Sequence, residues 1–286
     1  MTVLVAYDGS EQSEFALEMA TEAFPDQQLC LAYVIEPFAD HTEAGGYSAT
    51  RYQQEFERAE SMLQEVIDSL PEDRSAKQVV RYGRPIHELL AVAEDEEVDH
   101  IVIGSHGRDG ARRLLLGSVA ETVVRRASVP VTVVRQPPSV DGDSPAQILV
   151  PFDGSDPAKA ALDYAVKRYP DSEITAVYAV YPPKEVTDPE INSPGEIENW
   201  ADHLDEHTEE VIHTAEEYAD EQIETDTVGG DPAPSIVRYA DEHETDHIVM
   251  GSHGRDGLQR LIMGSVAETV VRRSPTSVTV VRDPEA

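Results

Sequence analysis

The sequence predicts an α/β protein made of two repeated, doubly wound domains, each a five-stranded parallel sheet with helices on both faces. Three observations support this prediction. The chain has 286 residues, which is enough for two ordinary domains. Short apolar runs alternate with longer amphipathic segments, as in βα units. The segment GSHGRDGARRLLLGS at 104–118 returns as GSHGRDGLQRLIMGS at 251–265, which indicates duplication of a whole domain.

The first apolar run, VLVAY at 3–7, shows no polar alternation, which is typical of a strand buried on both faces of a parallel sheet. The segments between such runs are long enough to hold a helix, so successive strands should be parallel. Strands are predicted near residues 3–7, 29–35, 78–82, 100–103 and 131–134. Helices are predicted near residues 11–24, 51–70, 85–96 and 118–127.

The segment QPPSVDGDSPA at 136–146 has three prolines and no apolar periodicity, which predicts a linker. We therefore expect a first domain at 1–136, a linker at 137–146 and a second domain at 147–286. The second domain repeats the pattern of the first and differs most at 181–195, where four prolines occur.

The net charge is −34, from 56 acidic and 22 basic residues, and only four of the basic residues are lysines. Such a chain repels polyanions and has few cations to displace their counterions, so nucleic acid is not expected as a partner. Two explanations of the acidity compete, an acidic interaction surface and adaptation to a salt-rich cytoplasm. The even scatter of the acids over both halves favours the second explanation and predicts a halophilic protein.

The only cysteine, Cys30, lies within the apolar run LCLAYVI, so we expect it to be a small core residue. An internal disulfide is impossible, which suits a reducing compartment. The chain opens on a strand-like run, and no apolar stretch approaches the length that spans a bilayer. A cytoplasmic protein without a membrane partner is expected.

Each Gly-rich repeat follows a predicted strand and precedes an amphipathic segment, SVAETVVRR. Glycines let the backbone approach an anion, and the first turn of a helix offers unpaired N–H groups with a partial positive charge. Asp8 also follows a strand. If the first and fourth strands are neighbours, Asp8 faces this loop and can contact a ribose hydroxyl or a metal ion.

Structural explanations compete with these roles. Asp8 and Asp153 could be turn or cap residues. Ser118 with Glu121, and likewise Ser265 with Glu268, have the SxxE spacing of a capping box, which would satisfy helix N–H groups without a ligand. The histidines of the repeat could serve only to hold the loop.

The glycine pattern of each half is GxxG, then nine residues, then GS. Together with the DGS that follows the first strand and the SVAETVVRR helix, this pattern resembles the nucleotide-binding motif of the universal stress protein family, over nearly the whole chain twice. The resemblance implies a strand order of 3-2-1-4-5 in each domain. It also implies that each half binds ATP or a related adenine nucleotide, together with Mg or Mn.

Carried over to this sequence, the resemblance implies that the Val34 and Val180 backbones bind adenine, while Asp8 and Asp153 approach the ribose or the metal. Ile103 and Met250 would line the base pocket. Arg108 and Arg255 lie beside the loop in the sequence, and from this position we infer that their charges could contribute to phosphate recognition. Around the ribose and phosphates it places Gly104, His106, Gly107, Gly117, Ser118 and Val119 in the first half, and Gly251, His253, Gly254, Gly264, Ser265 and Val266 in the second.

The expected function is that of a nucleotide-binding sensor or regulator in a stress response, and not of an enzyme. Neither GxxxxGK[ST] nor GxGxxG follows a first strand, and neither Gly-rich loop contains a lysine. A scaffold that binds no nucleotide and a slow ATP-hydrolysing enzyme remain as alternatives. The resemblance also implies that the two domains pair through their final strands, 131–134 and 278–281, as an internal pseudo-dimer, and further homo-oligomerisation is open.

Overall fold

A computed structural model describes residues 1–37, 49–107, 116–137, 145–181, 194–219, 222–253 and 263–282. The chain divides into two compact units, Met1–Gly142 and Asp143–Ala286. Residues 138–144, which make up most of the predicted linker, lie outside the described ranges. None of the helices in those ranges has an apolar stretch long enough to cross a bilayer.

The first unit alternates strands and helices, and their bounds lie within two residues of the predicted ones. All of its strand pairs are parallel, in the order β3-β2-β1-β4-β5. Its elements are β1 Thr2–Ala6, α1 Glu11–Ala23, β2 Gln28–Ile35, α2 Ala49–Ser69, β3 Ala76–Tyr82, α3 Pro85–Asp95, β4 His100–Gly104, α4 Ser118–Arg126 and β5 Val131–Val134.

The second unit repeats this arrangement, with parallel pairs in the order β8-β7-β6-β9-β10. Residues 182–193, most of the proline-containing segment at 181–195 that sets it apart, lie outside the described residues. Its elements are β6 Gln147–Pro151, α5 Asp156–Arg168, β7 Glu173–Val180, α6 Pro194–Tyr218, β8 Glu224–Gly229, α7 Pro232–Glu242, β9 His247–Gly251, α8 Ser265–Arg273 and β10 Ser277–Val281.

The central strand of each sheet is covered on both faces. Successive side chains of a strand point to opposite faces, and Val3, Leu4 and Val5 of β1 are all fully buried. Ile148, Leu149 and Val150 of β6 repeat this pattern. The unbroken apolar run in the sequence therefore reflects helices packed on both sides of the sheet.

The strand order reverses at β1, which pairs with β2 on one side and β4 on the other. Ala6, the last residue of β1, lies opposite Ala32 of β2 and Ile103 of β4. The chain after β1 turns into α1, whereas the chain after β4 leads to α4 in the opposite direction along the sheet. A crevice between such divergent connections is where open α/β sheets bind ligands.

Each unit also buries a histidine at the start of its fourth strand. His247 is fully buried, and its Nε2 lies 2.8 Å from Thr279 Oγ1. His100 has the same 2.8 Å contact with Thr132 Oγ1 in the first unit. Burial lowers the pKa of His247 to about 4, so the ring is neutral in the folded protein.

Because His247 is buried and neutral, we expect the free energy of unfolding to fall in acid. An exposed histidine of the unfolded chain takes up a proton below about pH 6.5, whereas the folded ring stays neutral down to about pH 4, so acid favours unfolding. The contribution of His247 is complete above about pH 6.5 and is lost as the pH falls to about 4, with a total of about 3 kcal/mol. Urea unfolding at successive pH values measures this slope.

His247→Gln should flatten that slope, because glutamine has no proton to gain. His213→Gln is the matched control, since the His213 side chain is 69% exposed on α6. An unchanged slope in His247→Gln, or an equal change in both variants, would contradict the assignment.

Candidate functional site

The turn after the first strand of each unit is built on glycine. Gly9 has φ of 77° and Gly154 has φ of 78°, a left-handed conformation that other residues rarely adopt. Asp8 Oδ1 accepts a hydrogen bond from the Ser10 N–H at 3.0 Å, and Asp153 Oδ1 accepts one from the Ser155 N–H at 3.0 Å. The aspartates are therefore turn residues, as one of the two explanations predicted.

The same aspartate also faces the Gly-rich loop. A Cβ on Gly107 would lie 2.8 Å from Asp8 Oδ2, so the loop backbone passes close to the carboxylate and a larger residue would displace it. The carboxylate and the loop lie close together because β1 pairs with β4, as expected from the sequence. The turn role and the ligand role of Asp8 can coexist, because one oxygen binds the turn while the other faces the loop.

The base of the loop is closed by its own backbone. The Gly117 N–H donates to the Ser105 carbonyl at 2.7 Å, and the Gly264 N–H donates to the Ser252 carbonyl at 2.8 Å. A Cβ on Gly117 would stand 3.2 Å from the Ser105 oxygen, which is a tight fit. This closure fixes where α4 and α8 begin relative to β4 and β9.

The capping-box explanation of Ser118 and Ser265 does not hold. The N-cap residues are Gly117 and Gly264, and Ser118 and Ser265 are the first residues within the helices. Glycine has no side chain that could cap the helix. Glu121 binds Arg125 at 2.8 Å instead of reaching back to the helix start. By contrast, α1 and α5 are capped by the side chains of Ser10 and Ser155.

This difference decides which helix can receive an anion. The first N–H groups of α4 and α8 have no acceptor within the helix and no side-chain cap, and they carry the positive end of the helix dipole. Backbone N–H groups in this state bind phosphate oxygens well. Both helix starts are therefore suited to an anionic ligand.

A histidine of the loop supplies a further polar atom in each unit. His106 Nδ1 lies 3.0 Å from Ser105 Oγ, and His253 Nδ1 lies 2.8 Å from Ser252 Oγ. The Nε2 atoms of both rings are buried and have no hydrogen-bond partner among the described residues. Burial, aided by Arg135, lowers the pKa of His106. When Nδ1 accepts from the serine hydroxyl, Nε2 carries the proton and can donate to a ligand.

In the second unit these groups surround a cavity of about 430 Å³. Seven of the residues predicted for that half line its wall: Asp153, Met250, Gly251, His253, Gly264, Ser265 and Val266. The start of α8 and the His253 ring thus share one cavity with the aspartate and an apolar floor. Gly254 and Arg255, and Arg108 in the first unit, lie outside the described residues.

The register of the strands corrects one predicted pairing between the two halves. The Val180 carbonyl accepts the Gly230 N–H at 3.0 Å, and the equivalent acceptor in the first unit is Ile35, which binds the Gly83 N–H at 3.0 Å. Val34 therefore corresponds to Ala179, one residue before Val180. Ala179, and not Val180, lines the cavity. The sequence misled because each strand has a valine near its end, Val34 one residue before the last residue of β2 and Val180 as the last residue of β7.

The glycine at the end of the fourth strand has a packing role. A Cβ on Gly251 would lie 2.6 Å from the backbone of Pro157 in α5, and one on Gly104 would lie 2.7 Å from the Gln12 oxygen in α1. These glycines let a helix cross directly over the strand end. Gly251 lies beside the cavity as a result of this close packing.

Several residues that line the cavity lie outside the Gly-rich repeat and could not be predicted from it. Part of the cavity wall comes from β7 and α7, and includes Tyr178, Pro232 and Ile236. Pro232 is the first residue of α7, where proline fits without loss of a hydrogen bond. Only the folded sheet brings this helix start to the same edge as β9.

The site has few protein ligands for a metal. No group of three or more His, Cys, Asp or Glu side chains suited to a metal ion occurs among the described residues. Mg²⁺ commonly takes one or two carboxylates and completes its shell with water and phosphate oxygens. Asp8 and Asp153 fit that limited role, because their carboxylates lie at the edge to which the uncapped helices point.

Comparisons with known proteins agree with this architecture. The sequence profile of the Universal stress protein family matches residues 1–135 and 146–282. A universal stress protein of Mycolicibacterium smegmatis is 26% identical over 286 residues, which cover 98% of this chain and 96% of that protein. A universal stress protein of Mycobacterium bovis is 30% identical over 213 residues, 73% of this chain and 69% of that protein.

A similar solved structure is that of a universal stress protein from Archaeoglobus fulgidus DSM 4304. It aligns with 98% of this chain and 96% of its own length, with a TM-score of 0.68 and 26% sequence identity. The likeness therefore extends over both units of the chain.

Proposed function

Since this chain belongs to the universal stress protein family, we propose that each of its halves binds an adenine nucleotide at the carboxyl edge of its sheet. ATP is the favoured nucleotide. Binding is the proposed activity, and the bound state would act as a signal in a stress response. The cavity of the second unit carries the proposal, because an uncapped helix start and the His253 side chain line the same space.

The chemistry of the cavity suits the parts of a nucleotide separately. Phosphate oxygens would accept from the first N–H groups of α8 and from His253 Nε2. A ribose hydroxyl would donate to Asp153. The base would lie against the apolar side, formed by Met250 and Ala179, where carbonyl and N–H groups at the strand ends distinguish its polar edge.

The first unit presents the same donors. Gly117, Ser118 and His106 occupy positions equivalent to Gly264, Ser265 and His253, with the same hydrogen bonds at the loop base. We therefore expect two nucleotide sites per chain. The pairing of the two halves through their final strands stays a prediction.

The proposed role is that of a binder without efficient turnover. The donors among the described residues of the site are backbone amides and a histidine, and the Gly-rich sequences contain no lysine to neutralise a departing phosphate. If Mg²⁺ accompanies the nucleotide, it would neutralise phosphate charge, and Asp8 and Asp153 would supply its protein oxygens. Phosphate release measured in the same samples separates binding from slow hydrolysis.

Titration calorimetry of the full chain with ATP tests the proposal. We expect saturable heat with two sites per chain, and a rise in melting temperature on adding ATP, because a ligand that binds only the folded state stabilises it. GTP is the matched control, since it has the same phosphates and a different base. Absence of heat and of thermal stabilisation at millimolar ATP would overturn the proposal, and equal affinity for GTP would overturn its adenine part.

A further inference from the structure

A second cavity, of about 470 Å³, lies in the first unit between α1 and α2. Leu17 on α1, Val66 on α2 and Leu70 directly after α2 form its apolar sides. None of the residues that line it belongs to the predicted nucleotide site. We call this cavity the α1–α2 groove, and its ligand chemistry is independent of the proposed nucleotide binding.

Three carboxylates follow the groove along one face of α1. Glu14, Glu18 and Glu22 are spaced four residues apart, so each lies about 6 Å further along the helix than the one before. Like charges at this spacing repel each other. Burial, together with the charge of Glu18, raises the pKa of Glu22. No cation among the described residues forms an ion pair with any of the three.

A tyrosine side chain at the bottom of the groove lacks a partner for its hydroxyl. Tyr7 is only 7% exposed, packs against Leu31 and Leu63, and lines the cavity. Its hydroxyl forms no hydrogen bond with any described residue. The hydroxyl oxygen can therefore accept a hydrogen bond from a donor on a ligand.

The second unit has opposite chemistry at the same positions. Phe152 replaces Tyr7, so the hydroxyl is absent. Lys159 and Lys167 replace Glu14 and Glu22 on α5, and they pair with Asp156 at 3.5 Å and with Asp163 at 2.7 Å. The acidity of the α1–α2 groove is thus particular to the first unit and is not a necessity of the fold.

From these observations we propose that the α1–α2 groove binds a linear aliphatic polyamine. Ammonium groups separated by three or four methylenes match the spacing of about 6 Å between successive carboxylates. The methylenes would lie on Leu17, Val66 and Leu70, and one ammonium would donate to the Tyr7 hydroxyl. The groove follows only about two turns of α1 from Glu14 to Glu22, a length that suits a small linear cation.

Titration calorimetry of the full chain with spermidine tests this proposal, at the lowest KCl concentration at which circular dichroism shows a folded protein. We expect one saturable site per chain, weakened by added salt. Glu18→Gln should weaken binding about tenfold or more, because the central carboxylate is lost. Tyr7→Phe, which installs the residue found in the second unit, should weaken binding roughly fivefold.

Asp163→Asn is the matched control, because Asp163 occupies the position equivalent to Glu18 and its loss changes the net charge equally. It should leave spermidine affinity unchanged. The double variant Glu14→Lys/Glu22→Lys should abolish the site while the melting temperature is retained. Many weak sites that are equal in all variants, or no heat, would overturn the proposal. A basic peptide that binds the groove where spermidine does not would overturn it as well.

Discussion

Gly251→Ala should destabilise the second unit by about 2 to 3 kcal/mol, although it adds only one methyl group. The new Cβ would lie 2.6 Å from the carbonyl carbon and oxygen of Pro157. Backbone atoms in α5 cannot move aside as a flexible side chain would, so the helix must shift away from the end of β9. Urea or thermal unfolding of the purified variant measures the loss.

Gly229→Ala is the matched control. Gly229 likewise ends a strand of the same unit, but a Cβ placed on it meets nothing within 4 Å. Its unfolding free energy should change by no more than about 0.5 kcal/mol. If both variants lose the same stability, the close approach of α5 to β9 is not the cause.

Ser265→Asp should remove nucleotide binding from the second unit without loss of stability. Ser265 is exposed and is the first residue of α8, where a carboxylate interacts favourably with the helix dipole and can accept hydrogen bonds from the first N–H groups of the helix. The same carboxylate would occupy the anion position and repel phosphate. We expect affinity at this site to fall roughly 100-fold, equivalent to about 3 kcal/mol, so calorimetry should show one ATP site per chain.

Thr269→Asp is the control for Ser265→Asp, because it introduces the same charge one turn further along α8. The phosphate-binding effect of a helix dipole is confined to its first turn, so this variant should keep two sites. Ser118→Asp should reproduce the loss in the first unit. Tight binding of two ATP molecules by Ser265→Asp would show that the start of α8 is not the phosphate site.

Local sequence was sufficient to predict the elements. The apolar run of β1 and the turn glycines Gly9 and Gly154 have short-range causes, namely burial on two faces and a positive φ. The repeat at 104–118 and 251–265 likewise indicated where a strand gives way to a helix at an anion site. These features depend on residues that are close together along the chain.

The capping-box explanation failed because it took no account of a contact between residues further apart along the chain. The spacing of Ser118 and Glu121 is correct for a cap, but Gly117 is the N-cap because its N–H is held by the Ser105 carbonyl. That bond closes a loop across two elements and places the helix start one residue earlier. Spacing alone does not reveal such a contact.

The sequence by itself determined the two repeated units, their strands and helices, and the loop that faces Asp8. Only the tertiary structure decided that Ala179 lines the cavity instead of Val180, and that Tyr7 lies between α1 and α2 beside three glutamates. The physical reason is that apolar periodicity specifies which side of an element is buried. The register between strands and the gap between helices are set by backbone pairing and packing across distant parts of the chain.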